Sequence, residues 1–294
     1  MIERIQGVVA LLSATIIWGT AFVAQSMGMD HVGPFTFQAA RCILAVISLI
    51  LIGWLFQRKR YFAGWKDRKL WIAGGACGVA LFFATSLQQV GLVYTDAGKG
   101  GFLTAMYIVL VPLFGVFLGK RPSRNAAISV IPAVIGLYCL SCVGVHGIQL
   151  GDLLMVGCAV CFAIQIILVD RFAQGMDPLR LNLIQSLVCA AGSLFFAWTE
   201  PLEPGAILRC SGAIVYTGVL SLGVAYSLQI VGQKRLEPTT ASLLMSLESV
   251  FAVLGGWLIL QERMDRWELV GCGLMLVAVI VSQLPERKHK SLHI

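Results

Sequence analysis

The sequence predicts an all-α membrane protein of ten transmembrane helices built as two inverted five-helix repeats. Three observations predict it: a composition too apolar for water, ten helix-length apolar runs, and a match between the two halves of the chain. Of 294 residues, 58% are hydrophobic and only 13% are charged, with a mean hydropathy of +0.84. A soluble domain carries about a quarter charged residues, so lipid is the expected solvent. The formal charge of +7 comes mostly from Lys and Arg in short gaps between apolar runs. That placement reads as a topology signal rather than a nucleic-acid-binding face.

A helix needs about 20 apolar residues to cross a hydrocarbon core of about 30 Å. Such runs are expected at 6–27, 34–56, 70–92, 98–118, 124–143, 151–169, 180–199, 208–231, 240–260 and 267–284. Breakers separate them: Gly33-Pro34, Arg121-Pro122, Asp177-Pro178, Pro201 and Pro204, Glu237-Pro238 and Pro285. The first run is longer than a signal-peptide core and other spans follow it, so it is expected to remain as a span. With the N-terminus inside, 17 of the Lys and Arg fall on inner segments, four on outer segments and one, Arg41, within a span. That bias puts both termini in the cytoplasm of a multi-pass protein in a cell inner membrane or plasma membrane.

The halves match at a nearly constant offset. Pro34 and Pro178 each open a second span, 144 positions apart, and Trp18-Gly19-Thr20 aligns with Phe162-Ala163-Ile164. Leu87-Gln88-x-Val90-Gly91 aligns with Leu228-Gln229-x-Val231-Gly232 at 141, as do Asp96 with Glu237 and Gly115 with Gly256. The expected units are 1–147 and 148–294, the second ending in a short basic cytoplasmic tail. Five helices is an odd number, so the second copy is expected to be inverted. Inverted copies suit alternating access, because the halves can exchange conformations.

The same residues resemble a known family. Trp18-Gly19-Thr20-Ala21-Phe22, Gly33-Pro34 and Gln38-Ala39-Ala40-Arg41 are similar to the first two helices of EamA-type proteins of the drug/metabolite transporter superfamily. Leu87-Gln88-Gln89-Val90-Gly91 through Thr95-Asp96-Ala97, then Gly101-Phe102-Leu103-Thr104-Ala105 and Val111-Pro112-Leu113, resemble its third and fourth helices. Glu237-Pro238 and Leu247-Glu248-Ser249-Val250 resemble its L-E-P-V region, with Ser249 in place of proline. Leu260-Gln261-Glu262-Arg263 resembles its L-G-E-R, with Gln261 in place of glycine. The resemblance covers essentially the whole chain. It implies a carrier of small metabolites, with export of amino acids or related compounds as the expected activity. The alternative is a channel or a structural membrane scaffold without carrier activity.

Ionisable groups inside a bilayer are costly and usually face an interior cavity. Only Arg41 and Glu248 sit well within spans. Arg41 lies about 10 Å from one edge and Glu248 about 12 Å from the other at ~1.5 Å per residue, so both approach the midplane. Glu248 is a candidate for a cationic substrate group or a coupling proton, and Arg41 for a carboxylate. The alternatives are a structural ion pair or an arginine that snorkels to the surface. Gln185 is the repeat equivalent of Arg41. Trp18, Phe22 and Gln25 share a helical face by their spacing. Gln88, Tyr107, Gln165, Gln185, Tyr226 and Gln229 are further cavity candidates, because an amide or phenol in lipid needs a partner. Gly74-x-x-x-Gly78 and Gly115-x-x-x-Gly119 suggest close helix packing. Pro112 and Pro132 suggest a hinge or a fixed kink.

Other chemistries find little support. Cys139/Cys142 and Cys158/Cys161 have zinc-ribbon spacing, but both pairs fall in expected helices rather than polar knuckles. They are expected to pack as small apolar residues, with no metal and no cofactor. Neither H-E-x-x-H, G-x-S-x-G nor an ATP-binding G-x-x-x-x-G-K-[ST] occurs. The histidines are expected in outer loops (His31, His146) or the tail (His289, His293), so an enzyme is not expected. The expected partners are a small-molecule substrate and the lipid bilayer, with no nucleic acid.

Overall fold

The computed structural model describes residues 2–58, 61, 64–95, 97–141, 150–259 and 265–284, with side chains for all of these but 97–99, 140, 141 and 255–259. Asp96, Cys142, His146, Leu260-Gln261-Glu262-Arg263, Pro285, His289 and His293 lie outside the described residues. Every regular element among those described is helical. In chain order they are α1 (Ile2–Met29), α2 (Pro34–Gln57), α3 (Arg68–Tyr94), α4 (Ala97–Ala105), α5 (Tyr107–Phe117), α6 (Arg124–Ser141), α7 (Leu150–Phe172) and α8 (Pro178–Ala197). They continue with α9 (Ala206–Arg209), α10 (Ser211–Val215), a π-helical segment (Tyr216–Ala225), α11 (Tyr226–Gln233), α12 (Pro238–Met245), α13 (Glu248–Ile259) and α14 (Arg266–Gln283). Eight segments have the length and apolarity of a membrane crossing, counting Gly100–Phe117 and Ser211–Gln233 as one each. Two shorter apolar segments, Arg124–Cys139 and Pro238–Leu254, fall where the fifth and ninth spans are expected.

Local chemistry sets the boundaries. Pro34, Pro178 and Pro238 open α2, α8 and α12, where a missing N–H costs nothing. Asp67 caps α3 by accepting from Lys69 N, and Asp177 caps α8 by accepting from Arg180 N. Asp265 and Glu268 form a capping box on α14. The outer faces are apolar: Leu51, Phe83, Ile131, Leu194 and Ile280 are all exposed, as a lipid solvent requires.

The packing of one repeat maps onto that of the other. α3 packs on α7 and α8, and the Ser211–Gln233 segment packs correspondingly on α1 and α2. α2 lies against α8, and α6 against α14. The α2–α8 pair is tied at both ends. Glu200, beyond α8, accepts from Phe35 N at 2.9 Å and Thr36 N at 2.7 Å at the start of α2. Gln57 at the end of α2 donates to Asp177 at the start of α8, at 2.9 Å. Tyr61 folds back into a cluster with Leu49 and Leu183. Burial, then the Asp177 charge, pushes its hydroxyl up to about 12, so it stays a donor.

The glycine pairs differ in role. Gly74 and Gly78 do meet a helix: an added Cβ would lie 2.6 Å from Ile184 Cβ and 2.9 Å from Gln185 Cα on α8. Gly115-x-x-x-Gly119 is not a packing face. Gly119 has φ +76° with nothing near its Cβ position, and Lys120 N bonds Gly115 O at 2.8 Å. It terminates the helix. Pro112 and Pro132 sit inside α5 and α6 without ending either.

Gly19 explains the Trp18-Gly19-Thr20 motif. An added Cβ would sit 2.8 Å from both Ala252 N and Glu248 O, backbone atoms of α13. Gly19→Ala is expected to force α1 from α13 at a cost of about 1–3 kcal/mol, seen as a lower thermal midpoint in detergent. Wild-type stability in that variant would refute the close crossing.

Candidate functional site

Two spans are interrupted midway, at corresponding positions. α4 gives way to α5 at Met106, and α12 to α13 at Ser246–Leu247. The residues that follow, Tyr107 and Glu248, are 141 apart, the offset of this part of the repeat. Met106 (ψ −9°) and Ser246 (ψ −12°) flatten the helical backbone. Hydrogen bonds there slip to the three-residue spacing: Met106 N to Leu103 O, Val109 N to Met106 O, Leu247 N to Leu244 O and Ser249 N to Ser246 O. Ser242 and Ser246 turn their hydroxyls back to Thr239 O and Leu243 O. Neither break uses proline. Pro112 lies six residues past the first interruption, inside α5, and Ser249 stands where the resemblance leads one to expect proline, three residues past Ser246.

A central cavity lies at these breaks, with about 530 Å³ of space not filled by atoms, its mouth included. Its lining pairs across the repeat. Trp18 and Phe162, Phe22 and Ile166, Gln88 and Gln229, and Tyr107 and Glu248 all face it. So do Thr85 with Tyr226 and Thr104 with Met245. Arg41, Gln25 and Ser221 complete its polar wall. Of the sequence candidates, Trp18, Phe22, Gln25, Arg41, Gln88, Tyr107, Tyr226, Gln229 and Glu248 line this cavity.

Arg41 and Glu248 are 2% and 6% exposed, so neither reaches the surface. They also do not pair. Arg41 donates Nη1 to Gln25 Oε1, and Nε to Gln38 Oε1 at 2.7 Å. Gln38 in turn donates to Thr85 Oγ1. The guanidinium lies 5.8 Å from the centre of the Phe37 ring. Glu248 accepts from Tyr107 Oη at 3.2 Å and sits in the first turn of α13, where the helix dipole favours an acid. Each charge therefore keeps hydrogen-bonding capacity in reserve: the second guanidinium nitrogen of Arg41 and the second oxygen of Glu248. Among the described residues, Trp18 Nε1 and Gln229 Oε1 are buried with no partner. The Trp18 and Tyr226 rings meet edge-on at 5.0 Å. The cavity thus offers a guanidinium, a carboxyl group, a free donor and a free acceptor between aromatic walls.

Gln165 and Gln185 stand behind the cavity wall rather than on it. Gln229 donates to Gln165 at 3.0 Å, Gln165 to Gln185 at 3.4 Å, and Gln185 to Asn182 at 2.8 Å. Asn182 Nδ2 reaches Leu222 O, Gly223 O and Ser227 Oγ at 2.8–2.9 Å. The carbonyls belong to the π-helical segment, which presents Ser221 and Leu222 to the cavity. The sequence reading missed Asn182, although it is the repeat equivalent of Gln38. Arg41→Gln38 and Gln185→Asn182 are the same bond made twice, a residue donating to the one three positions before it.

A model of the EamA-like transporter family matches residues 5–142 and again 149–283. The chain is 29% identical over 289 residues to an uncharacterized transporter of Archaeoglobus fulgidus, covering 96% of this chain and 87% of that protein. It is 28% identical over 292 residues to the threonine/homoserine exporter RhtA of Escherichia coli (strain K12), covering 97% and 93%. A solved crystal structure superposes with a TM-score of 0.77 at 20% identity, over 94% of this chain and 96% of that one. At that identity the likeness shows the fold alone.

Asn182→Leu removes three interhelical bonds at roughly 0.6 kcal/mol each. It is expected to destabilise the protein by about 2 kcal/mol, read as a drop in thermal midpoint that Asn182→Asp, which keeps no N–H to donate, does not restore. An unchanged midpoint would show that the π-helical segment holds itself.

Proposed function

Because the chain belongs to the EamA-like transporter family, we propose that it is a secondary transporter that exports small zwitterionic metabolites, amino acids or related compounds, by alternating access. One observation carries the substrate class: Arg41 and Glu248 face one cavity, buried, each held by neutral groups and not by the other. A buried charge is stable only when paired or well hydrogen-bonded. Two opposite charges left unspent on each other suit a ligand that brings a carboxylate to one and an ammonium to the other. The exporter RhtA, matched over nearly the whole chain, is named for threonine and homoserine, which agrees with that class.

Glu248 has a second role open to it, binding a coupling proton in exchange for the substrate ammonium. Alternating access is supported by the repeat of the helix breaks and by the paired cavity lining, which put equivalent structures on both sides of the site. The proposed units are 1–147 and 148–294, in opposite orientations, in a cell inner membrane or plasma membrane. The bias of Lys and Arg favours cytoplasmic termini.

Purified protein in liposomes tests the reading. Radiolabelled threonine is expected to show saturable flux and counterflow; channel-like conductance would reject a carrier. Glu248→Gln and Arg41→Gln are each expected to lower kcat/KM at least about tenfold, roughly 1.4 kcal/mol of transition-state binding. Glu248→Gln should also flatten the pH dependence of flux. Wild-type rate and pH profile in that variant would make Glu248 structural.

A further inference from the structure

A second hollow lies along the same helices as the central cavity. It holds about 810 Å³, its mouth included, and is lined by Val111, Pro112 and Gly115 of α5, Ile167 and Arg171 of α7, and Pro238 and Thr239 of α12, with Lys120 and Arg121 at its rim. All three helices also line the central cavity, through Tyr107, Ile166 and Met245. The linings of the two hollows are four positions apart on α5 and six apart on α12, about 6–9 Å at ~1.5 Å per residue. The layer is closed: Ile108, Ala241 and Leu244, with Val111 at the floor of the second hollow, are 0–1% exposed and belong to one packed cluster, beside the buried hydroxyls of Thr240 and Ser242.

The rim is basic, and two of its cations are uncommitted. Lys120 is ion-paired with Asp170. Glu237 accepts from Ser123 at 2.8 Å and Thr240 at 3.0 Å; these neutral donors leave its negative charge at the crevice, where it offsets one of the cations. Among the described residues, Arg121 and Arg171 have no ion-pair partner, and Arg171 rests 5.9 Å from the centre of the Phe172 ring. With Lys120 paired and Glu237 present, Arg121 and Arg171 still leave the crevice an excess of positive charge, which concentrates anions there.

We propose that this crevice is the cytoplasmic vestibule of the transport path. In it Arg121 and Arg171 receive the carboxylate of a small metabolite before it passes the Ile108, Val111, Ala241 and Leu244 layer, which is the inner gate. This rests on the transport reading above. The Lys120–Asp170 and Ser123–Glu237 contacts tie α7 and the start of α12 to the segment between α5 and α6 around the closed gate. An anionic phospholipid headgroup is the competing occupant; it would fill the crevice with lipid and bar water from it.

Thiol chemistry tests the site without knowledge of the substrate. Gly115→Cys places a thiol in the crevice, where an added Cβ meets only Lys120 O at 3.4 Å. Peptide mapping separates it from the nine native cysteines. In inside-out vesicles an anionic, membrane-impermeant methanethiosulfonate is expected to label it. The rate should fall about tenfold when Arg121→Gln and Arg171→Gln are added, while a cationic reagent should speed up. Arg→Lys at both positions should keep the anionic preference, and high salt should erase it. No labelling from the inner face, labelling only from the outer face, or a reagent preference unmoved by charge removal would each overturn the proposal. In liposomes, the Arg121→Gln/Arg171→Gln protein should show a higher KM for threonine at the inner face with kcat unchanged. A KM unchanged there would remove the vestibule from the path. Absence of saturable threonine flux in the wild-type protein would count against the transport reading, while the thiol rates still decide the anion site.

Discussion

Backbone in a membrane has no water to bond, so a span that breaks its helix must satisfy the freed groups within the protein. Two spans of this protein break at Met106 and Ser246–Leu247, midway along, and much of the structure serves that constraint. The ladder tightens by one residue rather than opening, and serine hydroxyls take up carbonyls beside the second break. Gly19 lets α1 come within backbone contact of α13 just past that break. Residues Thr239 to Val250 around the second break are buried, and the central cavity lies beside both breaks.

The cavity's polarity follows from the same economy. Arg41 is solvated by Gln25 and Gln38, and Gln38 is held by Thr85. Glu248 is solvated by Tyr107, its own repeat equivalent, across the two breaks. An ion pair between Arg41 and Glu248 would neutralise both and leave nothing for a ligand. Amide and phenol partners hold both groups inside the protein and aim each side chain.

The repeats share a frame but differ in chemistry. Gln38 and Asn182 are equivalent, as are Arg41 and Gln185, and each pair makes the same short-range bond. In the first repeat the bond orients a cation into the cavity. In the second it feeds a chain of amides that supports the π-helical segment of the eighth span. α3, the equivalent span of the first repeat, is unbroken α-helix. The wall of the cavity is therefore symmetric in position and asymmetric in its polar groups.

The amino-acid sequence by itself determined the solvent, the approximate spans, the repeat and the family, because each is written in local hydropathy or in residue-by-residue correspondence. It also narrowed the site, since polar groups within spans are few and nine of the eleven named face one cavity. Only the tertiary structure decided where the helices break, because a one-residue slip in hydrogen bonding without proline or glycine depends on neighbouring helices. It placed Gln165 and Gln185 behind the wall and brought in Asn182, Thr85 and Ser221. It also kept Arg41 and Glu248 apart. Which polar side chains meet is settled by the rotation and depth of packed helices, and a linear run of apolar residues carries neither.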